Sequence, residues 1–172
     1  MLSDKMLEAL NKQVNAEMYS AYLYFSMSSY LASVSLNGFA NWARVQAQEE
    51  MTHAMRFYNY INETGGRATM LAIDAPQAEW DGPLAVAEDV LEHEKKVTSL
   101  INDLMTLAIK EQDYATQAEL QWFISEQVEE EASADEIVQK LKLVENTAGG
   151  LFMIDRELGQ RTFTMPVWLS GE

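Results

Sequence analysis

Apolar residues recur at alternating steps of three and four along four long stretches of this chain, the period of one buried helix face. Ser3 or Asp4 caps a first predicted helix reaching about Ser33, with Leu10, Val14, Glu17, Ala21, Tyr24, Ser28 and Leu31 inward. Asn37-Gly38 opens a second, with Phe39, Ala43, Gln46, Glu50, His53, Phe57 and Tyr60 inward, and Gly65-Gly66 ends it. A third runs from Pro83 to about Glu111 and turns Leu84, Ala87, Leu91, Glu94, Thr98, Ile101, Met105 and Ala108 inward. Asp113 caps the fourth, whose stripe is Leu120, Phe123, Gln127, Glu130, Ala134, Ile137, Leu141 and Val144. Past Gly149-Gly150 there is room for one short helix, Leu151 to about Leu158, and then an irregular tail. The expected organisation is a helical bundle with its short fifth helix over 1–161 and a tail over 162–172.

Two of the connections are short turns near Ser35 and Gln112, so helices one and two, and three and four, form hairpins. The link between hairpins is different. About 17 residues before Pro83 lack helical periodicity, and extended they reach ~55 Å. A helix of ~28 residues is ~42 Å long. The link can therefore run the length of the bundle, giving an all-α four-helix fold with one long crossover between helices two and three.

The polar residues on these stripes follow a repeat. Glu17 and Glu50 are 33 residues apart, as are Glu94 and Gln127 (50 − 17; 127 − 94). His53 follows Glu50 by three residues and Glu130 follows Gln127 by three, so each pair shares a helix face. Counted from Ser35, Glu17, Glu50 and His53 lie 18, 15 and 18 residues away; counted from Gln112, Glu94, Gln127 and Glu130 lie 18, 15 and 18 away. All six fall at one level of the bundle. Each unpaired carboxylate there costs several kcal/mol to bury, and no Lys or Arg lies on the stripes at that depth. Divalent metal ions remove the problem, and oxygen-rich ligation with one imidazole suits iron or manganese. One ion would take Glu17, Glu50 and His53; a second would share Glu50 with Glu94 and Glu130. Gln127 puts a neutral amide where the repeat has a carboxylate, so the second ion is expected to be held less tightly.

Tyr24, two turns after Glu17 on the same face, is placed to hydrogen-bond a ligand or supply an electron. Glu49, Glu126 and Glu129 flank the ring, one position off the stripe, and could hold a third ion. Trp122 is expected to pack in the core, His93 to point off the inward face, and Glu131 to be solvated.

The net charge of −15 argues against nucleic-acid binding, which needs a cationic surface. The absence of cysteine removes disulfides, iron–sulfur clusters and cysteine-ligated iron. The start, Met-Leu-Ser-Asp-Lys, lacks the basic and apolar regions of a secretory signal, and a cytoplasmic location is expected. No charged residue occurs from Met18 to Ala43, but its serines and asparagines argue against a membrane span. Cover by another subunit is the better reading, so a homo-oligomer is expected.

Three segments then resemble the ferritins, specifically the bacterial non-haem type: Asn15-Ala16-Glu17 through Tyr24, Gln48-Glu49-Glu50-Met51-Thr52-His53-Ala54, and Leu120-Gln121-Trp122 through Glu126-Gln127-Val128-Glu129-Glu130-Glu131. The resemblance covers nearly the whole chain, including the crossover and the short fifth helix. It implies a cage of twenty-four subunits that oxidises Fe(II) with O2 or H2O2 and stores ferric oxyhydroxide. By that similarity Glu17, Glu50, His53, Glu94, Gln127 and Glu130 form a di-iron ferroxidase centre, and Glu49, Glu126 and Glu129, with Glu130, a third iron site. The alternatives are a haem-containing bacterioferritin cage, whose axial methionine Met51 would match, and a non-catalytic helical scaffold. Against haem stands the fourth helix, which carries Gln127-x-x-Glu130 where bacterioferritins have a second Glu-x-x-His.

Overall fold

A computed structural model describes residues 2–145 and 147–170. Six helices occur among them: α1 (Asp4–Ser33), α2 (Asn37–Glu63), α3 (Pro83–Lys110), α4 (Tyr114–Val144), α5 (Gly150–Leu158) and α6 (Val167–Ser170). No strand accompanies them. Ser3 caps α1 by accepting from the Met6 N–H at 3.1 Å, and Asp113 caps α4 by accepting from the Thr116 N–H at 3.1 Å.

The hairpin turns repeat as the sequence does. Ser35 and Gln112 both adopt left-handed backbone, φ 64° and 55°. The next residue in each case returns its N–H into the preceding helix, Leu36 to Leu31 O at 3.0 Å and Asp113 to Ala108 O at 2.9 Å.

The crossover lies along α1 and is held there by polar side chains. Asn11 accepts from the Thr69 N–H at 2.6 Å, Asn15 donates to Ala72 O at 3.0 Å, and Ser26 donates to Gln77 O at 2.6 Å. Trp80 packs on Tyr30, ring centroids 5.4 Å apart, and its indole N–H donates to Asp89 at 2.9 Å. The segment thus travels from the first turns of α1 to its last, and α3 starts beside the end of α1. This is the ferritin-like topology expected from the length of the link.

Two apolar clusters fill the bundle. One contains Met27, Leu31, Phe39, Trp42, Ile137 and Leu141; the other contains Met6, Leu10, Phe57, Ile61, Ile101 and Phe123. Between them lies the level of the polar ring. The stripe of α3 differs in detail from its prediction. Ala87, Glu94, Ile101 and Ala108 are buried as expected, but between them the residue three later is buried (Val90, Val97, Leu104), while Leu91, Thr98 and Met105 are half-buried. On α1, Met27 is buried where Ser28 was expected. A core-facing helix face spans more than one row, so spacing alone does not choose between adjacent apolar residues.

α5 docks across the start of α2. Asp155 accepts from the Gly38 and Phe39 N–H groups at 2.8 and 3.0 Å, supplying the cap that α2 itself lacks. Only glycine fits at 38, because a Cβ there would lie 1.6 Å from Asp155 O. The tail, expected to be irregular, contains the single helical turn α6 and runs along α2 towards Arg56, whose guanidinium lies 5.7 Å from the Trp168 ring. No helix among the described residues is long and apolar enough to cross a membrane.

Candidate metal centre

Glu17 comes from α1, Glu50 and His53 from α2, Glu94 from α3, and Gln127 and Glu130 from α4, and all six are buried. Each occupies a stripe position, so the packing that removes Leu10 or Phe123 from water also removes these groups. Glu17, Glu50 and His53 bring one ligand atom each to within 4.8 Å of one another. His53 Nδ1 lies 3.4 Å from Glu50 Oε2. That oxygen accepts no hydrogen bond, nor does Glu17 Oε2. Among the described residues these are the only buried side-chain oxygens or nitrogens without a partner.

Buried carboxylates that face one another resist ionisation. Burial, and then the charge of Glu50, pushes the Glu17 carboxyl up to about 8. Burial, then Glu94 and Glu130, holds Glu50 well above the usual carboxylate range. Burial and Glu130 raise Glu94 to about 7. A divalent cation reverses this balance, because it replaces the shared protons and satisfies the orphaned oxygens together. The donor set fits iron or manganese.

The second half of the ring is bonded to the protein. The Tyr24 hydroxyl, fully buried, donates to Glu94 Oε1 at 2.5 Å. The Gln127 amide donates to Glu94 Oε2 and to Thr98 Oγ1, both at 3.3 Å. Thr98 in turn donates to Glu131 at 2.5 Å, so Glu131 is not merely solvated but ends a chain that orients Gln127.

The flanking acids are separated. Glu126 is half-buried with Oε1 4.0 Å from His53 Nε2, and His53, Glu126 and Glu130 make a second group with ligand atoms within 4.8 Å. Glu49 belongs to neither group and pairs with Arg161 at 2.6 Å. Glu129 is exposed and also belongs to neither. Trp122 packs edge-on against His53, centroids 5.4 Å apart, beneath the Arg56 guanidinium at 4.2 Å. His93 lies off the ring against α1, 2.8 Å from Ser20 Oγ, and burial lowers it to about 4, so it is neutral. Met51 is 40% exposed on the outer face of α2.

Three residues have roles at the site that the sequence reading does not assign, although Gln46 is on its inward stripe. Gln13 donates to Glu17 Oε1 at 2.9 Å and Gln46 donates to Glu130 Oε2 at 2.8 Å. Their signal was available: each precedes a ring glutamate by four residues, on the same face. Arg161 had none, since it is 112 residues from Glu49 in the chain.

Comparison with known proteins adds an independent line. A family profile described as a ferritin-like domain matches residues 7–144. The chain is 46% identical over 161 residues to a bacterial non-heme ferritin of Bacteroides fragilis, covering 94% of this chain and all of that one. It is 40% identical over 163 residues to a bacterial non-heme ferritin of Staphylococcus aureus, covering 95% and 98%. Among solved structures, an engineered closed form of the Archaeoglobus fulgidus ferritin is similar with TM-score 0.94 and 53% identity, over 95% of this chain and all of that one. The open-pore ferritin of the same archaeon is similar with TM-score 0.93 and 52% identity, over 94% and 99%.

Proposed function

This chain belongs to the ferritin family, and from that premise we propose that it stores iron, oxidising Fe(II) at the buried ring and depositing ferric oxyhydroxide inside a hollow homo-oligomeric cage. The observation that carries the reading is the pair of buried, unpartnered carboxylate oxygens on Glu17 and Glu50 beside His53. Such oxygens are tolerated where a cation completes them.

In this reading Fe(II) is the substrate. One ion enters between Glu17, Glu50 and His53, and a second between Glu50, Glu94 and Glu130, with Gln127 beside it. The ring places the two ions side by side and excludes bulk water. Each gives one electron to dioxygen, which takes up two protons and leaves as hydrogen peroxide, and the hard carboxylate oxygens favour the Fe(III) product. Tyr24, bonded to Glu94, orients that ligand and is placed to supply a further electron. Hydrolysis of Fe(III) releases protons, and iron then moves on past Glu126, with Glu49 and Glu129 at the rim.

The oligomer is supported by side chains that a lone bundle leaves in water. Tyr22 and Phe25 on α1, Met70, Leu71 and Ile73 on the crossover, and Phe152 and Met153 on α5 are all at least 39% exposed. Exposed apolar side chains that gather into patches mark interfaces. Twenty-four chains of 19.5 kDa would make a particle of about half a megadalton. A cytoplasmic, non-haem protein is the form this reading takes; the relatives from Bacteroides fragilis and Staphylococcus aureus carry the name bacterial non-heme ferritin.

Aerobic addition of Fe(II) to the metal-depleted protein tests the reading. Near-ultraviolet absorbance should grow rapidly in the parent, vanish in Glu50→Ala and His53→Ala, and slow in Glu130→Ala. Equal rates in parent and variants would overturn the assignment.

A further inference from the structure

The tail brings one cation to the polar ring, and it comes from outside the four-helix bundle. α5 is seated on α2 through Asp155 and the Gly38 backbone, and Gly159 packs against the same glycine. Asn41 then donates to Arg161 O at 2.9 Å and fixes the backbone from which the guanidinium reaches along α2. One guanidinium nitrogen donates to Glu49 Oε2 at 2.6 Å, and the other donates to Gln46 Oε1. The Gln46 amide is thereby oriented, with its oxygen towards Arg161 and its N–H towards Glu130 Oε2 at 2.8 Å. A single side chain thus occupies Glu49 directly and a lone pair of Glu130 through a relay.

We propose that Arg161 is a built-in counter-cation that fills the acidic flank of the metal ring, and that a metal ion can occupy Glu49 and the outer side of Glu130 only when the guanidinium withdraws. This rests on the reading of the ring as an iron site. Charge explains the competition, since the guanidinium and a divalent metal ion draw on the same Glu49 carboxylate and repel each other when both are brought against it. Geometry explains the coupling. Without Arg161 the Gln46 amide is free to turn its oxygen towards the ring, which releases Glu130 Oε2 and adds a neutral donor. The Arg161 side chain is 31% exposed and lies on a tail outside the bundle, so it can move away without disturbing the core. An ion held by Glu17, Glu50 and His53 does not need that movement, because the guanidinium's hydrogen bonds run to Glu49 and Gln46.

The test counts ions bound, with no oxidation involved. Zn(II) is titrated by equilibrium dialysis into the metal-depleted, assembled protein. Arg161→Ala should bind one more Zn(II) per chain than the parent. Arg161→Lys, which retains a cation, should stay near the parent, and Arg161→Ala combined with Glu49→Gln should return to the parent value. Equal stoichiometry in parent and Arg161→Ala, or an added ion that survives Glu49→Gln, would overturn the proposal. Failure of the underlying reading looks different, because Glu50→Ala would then bind as much Zn(II) as the parent whatever occurs at 161.

Discussion

The two halves of the polar ring come from hairpins with the same spacing and the same left-handed turns, yet they are finished differently. In the α1/α2 half, Glu17 and Glu50 each keep one buried oxygen without a protein partner. In the α3/α4 half, both oxygens of Glu94 are taken, by Tyr24 and by Gln127, and Gln46 donates to Glu130. The first half is incomplete without a cation, whereas the second is largely satisfied by hydrogen bonds. A metal entering the first half gains ligands and displaces the protons held by Glu17 and Glu50; one entering the second must also displace or rearrange hydrogen bonds from Tyr24, Gln127 and Gln46. Repetition of ligand spacing therefore does not produce equal sites. In the proposed iron-storage role, the inequality suits a substrate that must leave after oxidation.

Removing the group common to both halves should have the largest effect. Glu50→Ala is expected to lower the initial rate of Fe(II) oxidation by more than about 100-fold, beyond the range for loss of an outer hydrogen-bond partner. Stopped-flow absorbance measures it, and a loss confined to a few-fold would mean that Glu50 serves neither ion.

Protonation probes both halves. Glu17 titrates at about 8 in the fold and Glu94 at about 7, both raised above 4.5. Between 4.5 and those values the folded protein holds more protons than the unfolded chain, so stability falls as pH rises through that window. The metal-free protein should melt several degrees lower at pH 8.5 than at pH 6, and Glu17→Gln should flatten that slope. Metal binding must displace the same protons, so Zn(II) affinity should rise over this range with protons released. Calorimetry in buffers of different ionisation enthalpy counts them.

Gln127→Glu would supply the carboxylate that the repeat lacks. The second Zn(II) should bind roughly tenfold tighter, as expected for added ligand charge in an oxygen-rich site. The metal-free protein should lose stability from a further buried acid. If the second ion binds no more tightly, the asymmetry lies in the hydrogen bonds and not in the missing charge.

The smallest effect is expected from Tyr24→Phe, which keeps the ring and frees Glu94 Oε1. Oxidation should slow by up to about tenfold, the low end of the range for an outer partner. Zn(II) stoichiometry should be unchanged, which separates an orienting hydroxyl from a ligand.

Much of this molecule is legible in its sequence. Helix positions, the crossover and the common level of six polar residues follow from periods of three and four and from chain length, which are local properties. The crossover is a case in point: its length allowed it to span the bundle, and Asn11, Asn15 and Ser26 hold it on that course. The choice of Val90 over Leu91, and Val97 over Thr98, was not legible, because adjacent residues compete for one face and only the neighbouring helices decide. Nor was the partner of Glu49. Arg161 reaches it because α5 caps α2 and Asn41 holds the tail, contacts between segments more than a hundred residues apart.

The sequence alone determined which side chains share a helix face and at what depth, because helical geometry converts spacing into direction. Only the tertiary structure decided which of those acids are left without partners and which are satisfied. Hydrogen bonds and charge pairs depend on distances between segments that chain spacing does not encode.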